Sequence, residues 1–253
     1  MNKTRIILTG ACGRMGRAVT ELAASDDRCE IVCGIDVSPN AQPAPFPVYK
    51  SFSEIKEAAD VIIDFSHHSA VYDILSYAKE KSIPAVIATT GHDEDETALI
   101  EKCASDIPVF YSRNMSIGIN LMIALSKKAA AILGDSFDIE IVEEHHSKKL
   151  DAPSGTALMI ADAVRDTLDR ETSYVYDRHL ERRQRDKGEI GIHSVRGGSI
   201  VGEHEIIFAG QNEVLRIHHS AFSREVFSKG ALSAALFLAT QKNGLYSMED
   251  MLG

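Results

Sequence analysis

The sequence predicts an α/β protein in two parts: a doubly wound parallel-sheet domain and a second, α+β domain with a mixed or antiparallel sheet. Three observations predict it. Short apolar, β-branched runs alternate with helical stretches over residues 4–111. After residue 117 the rhythm changes to long helices and strand-length runs parted by glycines and polar turns. The chain has 253 residues, 44% of them hydrophobic, which exceeds one typical domain of roughly 100–200 residues.

Thr4–Thr9 (TRIILT) reads as a buried strand, and Ala18, Val19, Leu22 and Ala23 carry the helix after it. Glu30–Asp36 (EIVCGID) is a second strand, and AQPAPFPV at 41–48 is a proline-rich loop. Strand Ala59–Phe65, helix Ser69–Lys81, strand Ala85–Ala88, helix Glu94–Ala104 and strand Pro108–Tyr111 follow. This alternation implies parallel β-α-β units with right-handed crossovers. Ile117–Leu133 is a long helix, Phe137–Val142 alternates like a half-exposed strand, and Ala157–Leu168 is a further helix. IGIHSVRGG, IVGEHEIIFAG and EVLRIHHS, between Glu189 and His219, suggest antiparallel meanders. Glu225–Thr240 is an apolar helix that returns to the first domain. The expected domains are therefore 1–116 with 225–253, and 117–224.

The net charge of −10 argues against a nucleic-acid partner. The four cysteines, Cys12, Cys29, Cys33 and Cys103, form no CxxC or zinc-type spacing and read as reduced thiols. MNKTRIILTG lacks the features of a secretory leader, and no run approaches the roughly 18 apolar residues of a membrane span. A soluble cytoplasmic protein with no membrane partner is expected.

Gly10, Gly13 and Gly16 stand between the first strand and the first helix as GxxGxxG. Tight packing turns also use glycine. Here, however, a strand precedes, a helix follows, and Asp36 ends the next strand, where an acid can take the hydroxyls of a ribose. The segment Gly10, Ala11, Cys12, Gly13, Arg14 and Met15 is thus expected to cradle a nucleotide pyrophosphate. Val37 and Ser38 follow Asp36 with no adjacent cation for a 2′-phosphate, which favours NADH. Arg14 keeps NADPH open as the alternative. Ala88, Thr89 and Thr90, with Ser112, Arg113, Asn114 and Met115, follow the fourth and fifth strands and are expected to border the nicotinamide.

The densest chemistry is VEEHHSKKLDAPSGTA at 142–157. Neighbouring His145 and His146 point to opposite faces on a strand, HExxH is absent, and the lysines would repel a cation, so no metal site is expected. A solvated loop is the plain alternative. Against it, Ser154, Gly155 and Thr156 open a helix whose N–H groups attract an anion. An anion there would sit near His146 and Lys149, with His145 as a general acid or base.

EEHHSKKLDAPSGTA resembles the signature of the 4-hydroxy-tetrahydrodipicolinate reductase (dihydrodipicolinate reductase) family. GACGRMG resembles that family's glycine loop, ATTG its GTTG with Ala88 in place of a glycine, and SRNMSIGIN its nicotinamide-side segment. VRGGSIVGEHE and HHSAFSR resemble its later sheet. The resemblance implies reduction of a cyclic imine dicarboxylate to tetrahydrodipicolinate by NAD(P)H, in diaminopimelate and lysine biosynthesis. By the same resemblance His145 and Lys149 are the proton-transfer residues. His146, Ser154, Gly155 and Thr156 form the carboxylate side, and the segments above contact the cofactor. It also implies that the first domain binds dinucleotide, that the second binds substrate, and that a homotetramer forms through the second domain's sheet. With cofactor and substrate on different domains, hinge closure is expected to bring them together and expel water. His67–His68 and the arginines Arg196 and Arg224 read as packing or salt-bridged structural residues, with His219 a candidate for the substrate side.

Overall fold

The structure is a computed structural model and describes residues 3–39, 43–179 and 182–253. Residues 1–2 and the first two residues of the proline-rich stretch lie outside the described residues. The chain divides into two compact units, Met1–Ile117 with Glu225–Gly253, and Gly118–Arg224.

The first unit contains β1 (Thr4–Thr9), α1 (Arg14–Ala24), β2 (Cys29–Ile35), β3 (Val48–Tyr49), β4 (Val61–Asp64), α2 (Val71–Lys81), β5 (Ala85–Ile87), α3 (Glu94–Cys103) and β6 (Pro108–Tyr111). Its sheet runs β3-β2-β1-β4-β5-β6 and is parallel throughout. Continuous apolar runs form these strands because both faces are covered. In β1, Ile6 and Leu8 enter one core and Ile7 the other, and all three are fully buried. Full burial of such a side chain stabilises by roughly 1.5–3 kcal/mol. Helix α3 starts from a capping box of Asp93 and Glu96.

The second unit contains most of α4 (Ile117–Leu133), then β7 (Asp138–His145), α5 (Gly155–Arg165), β8 (Ser173–Val175), β9 (Glu189–Arg196), β10 (Gly202–Ala209) and β11 (Val214–Ala221). Its strand order is β11-β10-β7-β9-β8. β10 is antiparallel to both β7 and β11, whereas β9 is parallel to β7 and β8, so the sheet is mixed. The meander expected over 189–219 holds only for β10 and β11. β9 and β10 lie on opposite sides of β7, because β7 supplies the buried centre that both must flank.

The chain then returns to the first unit through α6 (Glu225–Leu238), β12 (Gly244–Tyr246) and α7 (Met248–Leu252). β12 pairs with β6 and completes seven strands. Gly230 lets α6 lie against the carbonyl of Met115, where a side chain would collide.

Ile139 and Ile141 of β7, Ile190 and Ile192 of β9, and Ile206 and Phe208 of β10 form one core face. It packs on Ile119, Met122 and Ala130 of α4 and on Ile160, Ala161 and Val164 of α5. Contrary to the sequence expectation of no span-length run, Ile117–Ser136 is long and apolar enough to cross a membrane by length and composition. The mid-helix pair Lys127–Lys128 hides this in a residue-by-residue reading, and the side chains of α4 named above serve the core.

β7 alternates half-buried and buried residues along its whole length. The face that buries Ile139 and Ile141 therefore continues to Glu143 and His145. Sequence reading ended this strand at Val142, because two glutamates and two histidines resemble an exposed turn. The strand persists because its buried charges are paired from a neighbouring strand.

Candidate active site

Glu143 is fully buried and His145 nearly so. His145 Nδ1 lies 2.5 Å from Glu143 Oε2. Register places Arg196 of β9 opposite His145, and its guanidinium forks onto Glu143, Nη1 to Oε2 at 2.8 Å and Nη2 to Oε1 at 2.7 Å. Ser154 N–H donates to Oε1 at 3.1 Å, and the Ser194 hydroxyl adds a further bond. Burial would raise the Glu143 carboxyl, but Arg196, Ser194 and His145 outweigh it and hold the group down at about 2. Burial presses His145 below the usual imidazole range, while Glu143 pulls in the opposite direction.

His204 of β10 stands beside this pair, its ring 5.2 Å from that of His145 and nearly perpendicular to it. It is 4% exposed, and burial, aided by the neighbouring His145, pushes it down to about 3. His204 Nε2 is 3.1 Å from the Ser154 hydroxyl. That hydroxyl also accepts from Ala157 N–H and so caps α5. Ser154 is thus turned inward, with both its N–H and its hydroxyl committed. The open side of the helix start belongs to Gly155, where a Cβ would meet nothing within 4 Å. His146 diverges from His145 as strand geometry requires, and its Nδ1 is buried without a partner. Lys149 Nζ pairs with Asp151 at 2.8 Å, and Arg196 also donates to the Asp151 carbonyl. Among the described residues no group of three or more His, Cys, Asp or Glu side chains is placed to hold a metal ion.

In the first unit, Gly10 has φ +71°, and a Cβ on it would strike the carbonyl of Phe65. A Cβ on Gly16 would strike the carbonyl of Gly10, so both glycines are required for the loop to fold back on α1. Asp64, fully buried, braces the turn beneath the loop by accepting from the Thr9 hydroxyl at 2.5 Å and from Ser66 N–H at 2.9 Å. Asp36 accepts from the N–H groups of Cys12 and Ser38, both at 2.9 Å, one on each oxygen. Each carboxylate oxygen keeps a lone pair for an incoming hydroxyl.

Gly10, Gly13, Asp36 and Val37 line a cavity of about 790 Å³. Its size and its glycine-walled, acid-marked end fit a dinucleotide's adenosine half. Lys50 lines the same cavity. β2 and β3 pair Ile35 with Tyr49, so Asp36 and Lys50 leave the sheet side by side. Of the other segments expected to meet a cofactor, Ala88 and Thr89 are buried at the end of β5 and Thr90 is exposed. Ser112 and Asn114 fold onto one another, Met115 enters the core, and Arg113 alone faces outward. Arg14 is exposed on the first turn of α1. His68 is paired with Glu96 at 2.8 Å, a packing role.

Sequence reasoning left Glu143 unassigned and did not single out His204, Gly202 or Lys50, while the salt-bridged role it gave Arg196 holds, with Glu143 as the partner. Arg196, His204 and Gly202 come from segments far along the chain from the residues they meet, so their sequence neighbours do not show these contacts.

A parallel sheet with a glycine loop and an acid at the end of its second strand, joined to a mixed sheet holding a buried carboxylate–histidine cluster, defines a two-unit nicotinamide-nucleotide oxidoreductase. Residues 4–115 match the family model for the dihydrodipicolinate reductase N-terminus, and residues 118–252 match that for its C-terminus. The chain belongs to the dihydrodipicolinate reductase family. It is 54% identical to a 4-hydroxy-tetrahydrodipicolinate reductase of Caldanaerobacter subterraneus over 98% of both chains. It is 45% identical to the enzyme of that name in Clostridium tetani, over 98% of this chain and 96% of the relative. A dipicolinate-bound dihydrodipicolinate reductase from Paenisporosarcina shares the fold with TM-score 0.82 and 24% identity, over 97% of this chain and 98% of that one.

Proposed function

We propose that this protein reduces 4-hydroxy-tetrahydrodipicolinate (dihydrodipicolinate) to tetrahydrodipicolinate with NAD(P)H, as a step of diaminopimelate and lysine biosynthesis. Membership of the family supports the reaction. The observation that carries its chemistry here is the buried Glu143–His145 pair beside the start of α5.

When bound, NAD(P)H supplies the hydride. The loop Gly10 to Met15 would hold its pyrophosphate and Asp36 its ribose, with the segments 88–90 and 112–115 toward the nicotinamide. Met115 would serve through its backbone, since its side chain lies in the core. NADH is the preferred form, because Asp36 faces the 2′ position and Val37 and Ser38 bring no charge. Lys50 is the cation that keeps NADPH usable.

The substrate's carboxylates need N–H groups and cations. Gly155 and Thr156 at the helix start, with His146 and Lys149, supply them, and Ser154 supports that turn as its cap. Hydride addition leaves negative charge on the ring, and His145 and Lys149 deliver the compensating proton. Such general acid catalysis is worth roughly 10²–10⁴-fold. The four cysteines, in no disulfide among the described residues, suit a reducing cytoplasm. A homotetramer formed through the second unit's sheet is supported by its edge strand β11, where Val214 and Leu215 are exposed.

The test is oxidation of NADH, followed by its absorbance, with substrate generated in situ by the synthase that precedes this step. Turnover dependent on that synthase is expected, and none with active synthase and folded protein would refute the assignment. Sedimentation equilibrium checks the tetramer.

A further inference from the structure

We propose that Glu143, clamped by Arg196, is a positioning residue that fixes His145 with its proton on Nδ1 and directs Nε2 into the space before Gly202 as the proton-exchanging atom. This rests on the reading of His145 as a proton-transfer residue.

The argument begins with donors. Glu143 is wholly buried yet accepts from both guanidinium nitrogens of Arg196, from Ser154 N–H and from the Ser194 hydroxyl. A carboxyl so saturated with donors is ionised, and an ionised carboxylate can only accept. The His145 nitrogen 2.5 Å away must therefore be the donor. A neutral imidazole has one N–H, so Nε2 carries the lone pair and becomes the second N–H on protonation.

The surroundings keep Nε2 usable. A Cβ at position 202 would lie 3.2 Å from Nε2 and 3.6 Å from Cδ2 of the ring, so only glycine leaves that corner open. The groups facing the ring are Glu143 on its own strand, Arg196 on β9, His204 on β10 and Lys149 on the following loop. Two of these, Arg196 and Lys149, disfavour an imidazolium, and Glu143 alone favours it. Arg196 spends its fork on Glu143, so the net field at His145 depends on that one carboxylate. In the proton step the Nε2–H bond breaks, its electron pair stays on the ring, and the proton goes to the reduced substrate. Nδ1 keeps its proton throughout, and Nε2 is reprotonated from water.

The test is nitrogen-15 NMR of the full-length protein labelled at histidine, with His145 assigned by its loss in His145→Gln. Above the titration of the ring, Nδ1 is expected at the shift of a protonated nitrogen and Nε2 at that of a bare one. The reverse tautomer overturns the proposal, and this readout does not depend on turnover. In Glu143→Gln the limb of the kcat/KM pH profile owed to His145 should move about one unit or more to lower pH. KM for the nucleotide should stay unchanged. A folded Glu143→Gln protein with lowered kcat and an unmoved limb would make Glu143 merely structural and refute the proposal. If that variant does not fold, the wild-type tautomer decides alone. If wild type lacks turnover, the functional reading fails while the tautomer is still decided.

Discussion

Nδ1 of His145 lies 2.5 Å from Oε2 of Glu143, at the end of a strand whose earlier residues on the same face, Ile139 and Ile141, are core. His145, the proposed proton-transfer residue, is therefore held by the rigid sheet and not by a loop, which favours precise positioning.

Replacing His145 with Gln should lower kcat about 10²–10⁴-fold, the usual worth of a general acid or base. Lys149→Ala should act in the same direction. Nucleotide affinity should not change in either variant, because the glycine loop and Asp36 belong to the other unit. Steady-state kinetics with a fluorescence titration of NADH checks both. Full turnover in the two variants would remove them from the chemistry.

Arg196→Met should destabilise the protein by about 3–5 kcal/mol, the usual cost of stranding one partner of a buried ion pair. Glu143 has no exposure and would lose both of its guanidinium bonds. Without Arg196 the carboxyl rises from about 2 toward its ordinary range. A depressed carboxylate contributes stability above its unfolded pKa and loses it as pH falls through the folded value. Acidification below the unfolded carboxylate range of about 4.3 should therefore cost the variant less additional stability than wild type, because its folded value no longer lies well below the unfolded one. Urea unfolding at neutral pH and at about pH 3.5 measures both effects.

His204 makes a separate pH prediction. Its folded value of about 3 lies below the roughly 6.5 of an unfolded histidine. Above pH 6.5 or so both states are neutral and it contributes no slope. Between these values the unfolded chain binds a proton that the folded chain refuses, so stability drops as the pH is lowered, by up to about 1.4 kcal/mol per unit. His204→Gln should remove that part of the slope. Unfolding free energies across the range, compared with wild type, decide it.

The parallel half of the fold was legible because strands buried on both faces must be continuously apolar, as IIL in β1 is. The two-residue β3 and three-residue β12 were not, since so few residues carry no period. His145, Lys149 and the start of α5 were legible as one chemical string. Arg196 stands 51 residues after His145 and meets Glu143 only because β9 runs parallel to β7 in that register. Local spacing contains no trace of such a pairing. Lys50 was missed for the same reason: its tie to Asp36 runs across strands, while the search for a cation looked only along the chain.

That last residue sets the final prediction, the choice of nucleotide. Asp36 is held by Cys12 and Ser38 N–H groups at the end of β2, facing the cavity, where it can accept from both ribose hydroxyls of NADH. A 2′-phosphate would bring like charge to that carboxylate, and Lys50 is the cation beside it. kcat/KM should be higher for NADH than for NADPH. Lys50→Ala should lower kcat/KM for NADPH about tenfold, roughly 1.4 kcal/mol, and leave that for NADH nearly unchanged. Asp36→Ala should do the opposite, weakening NADH and narrowing the gap. Kinetics of the three proteins with both nucleotides tests the set. A wild-type kcat/KM for NADPH more than about tenfold above that for NADH would mean that Lys50, and not Asp36, governs the ribose end of the cavity.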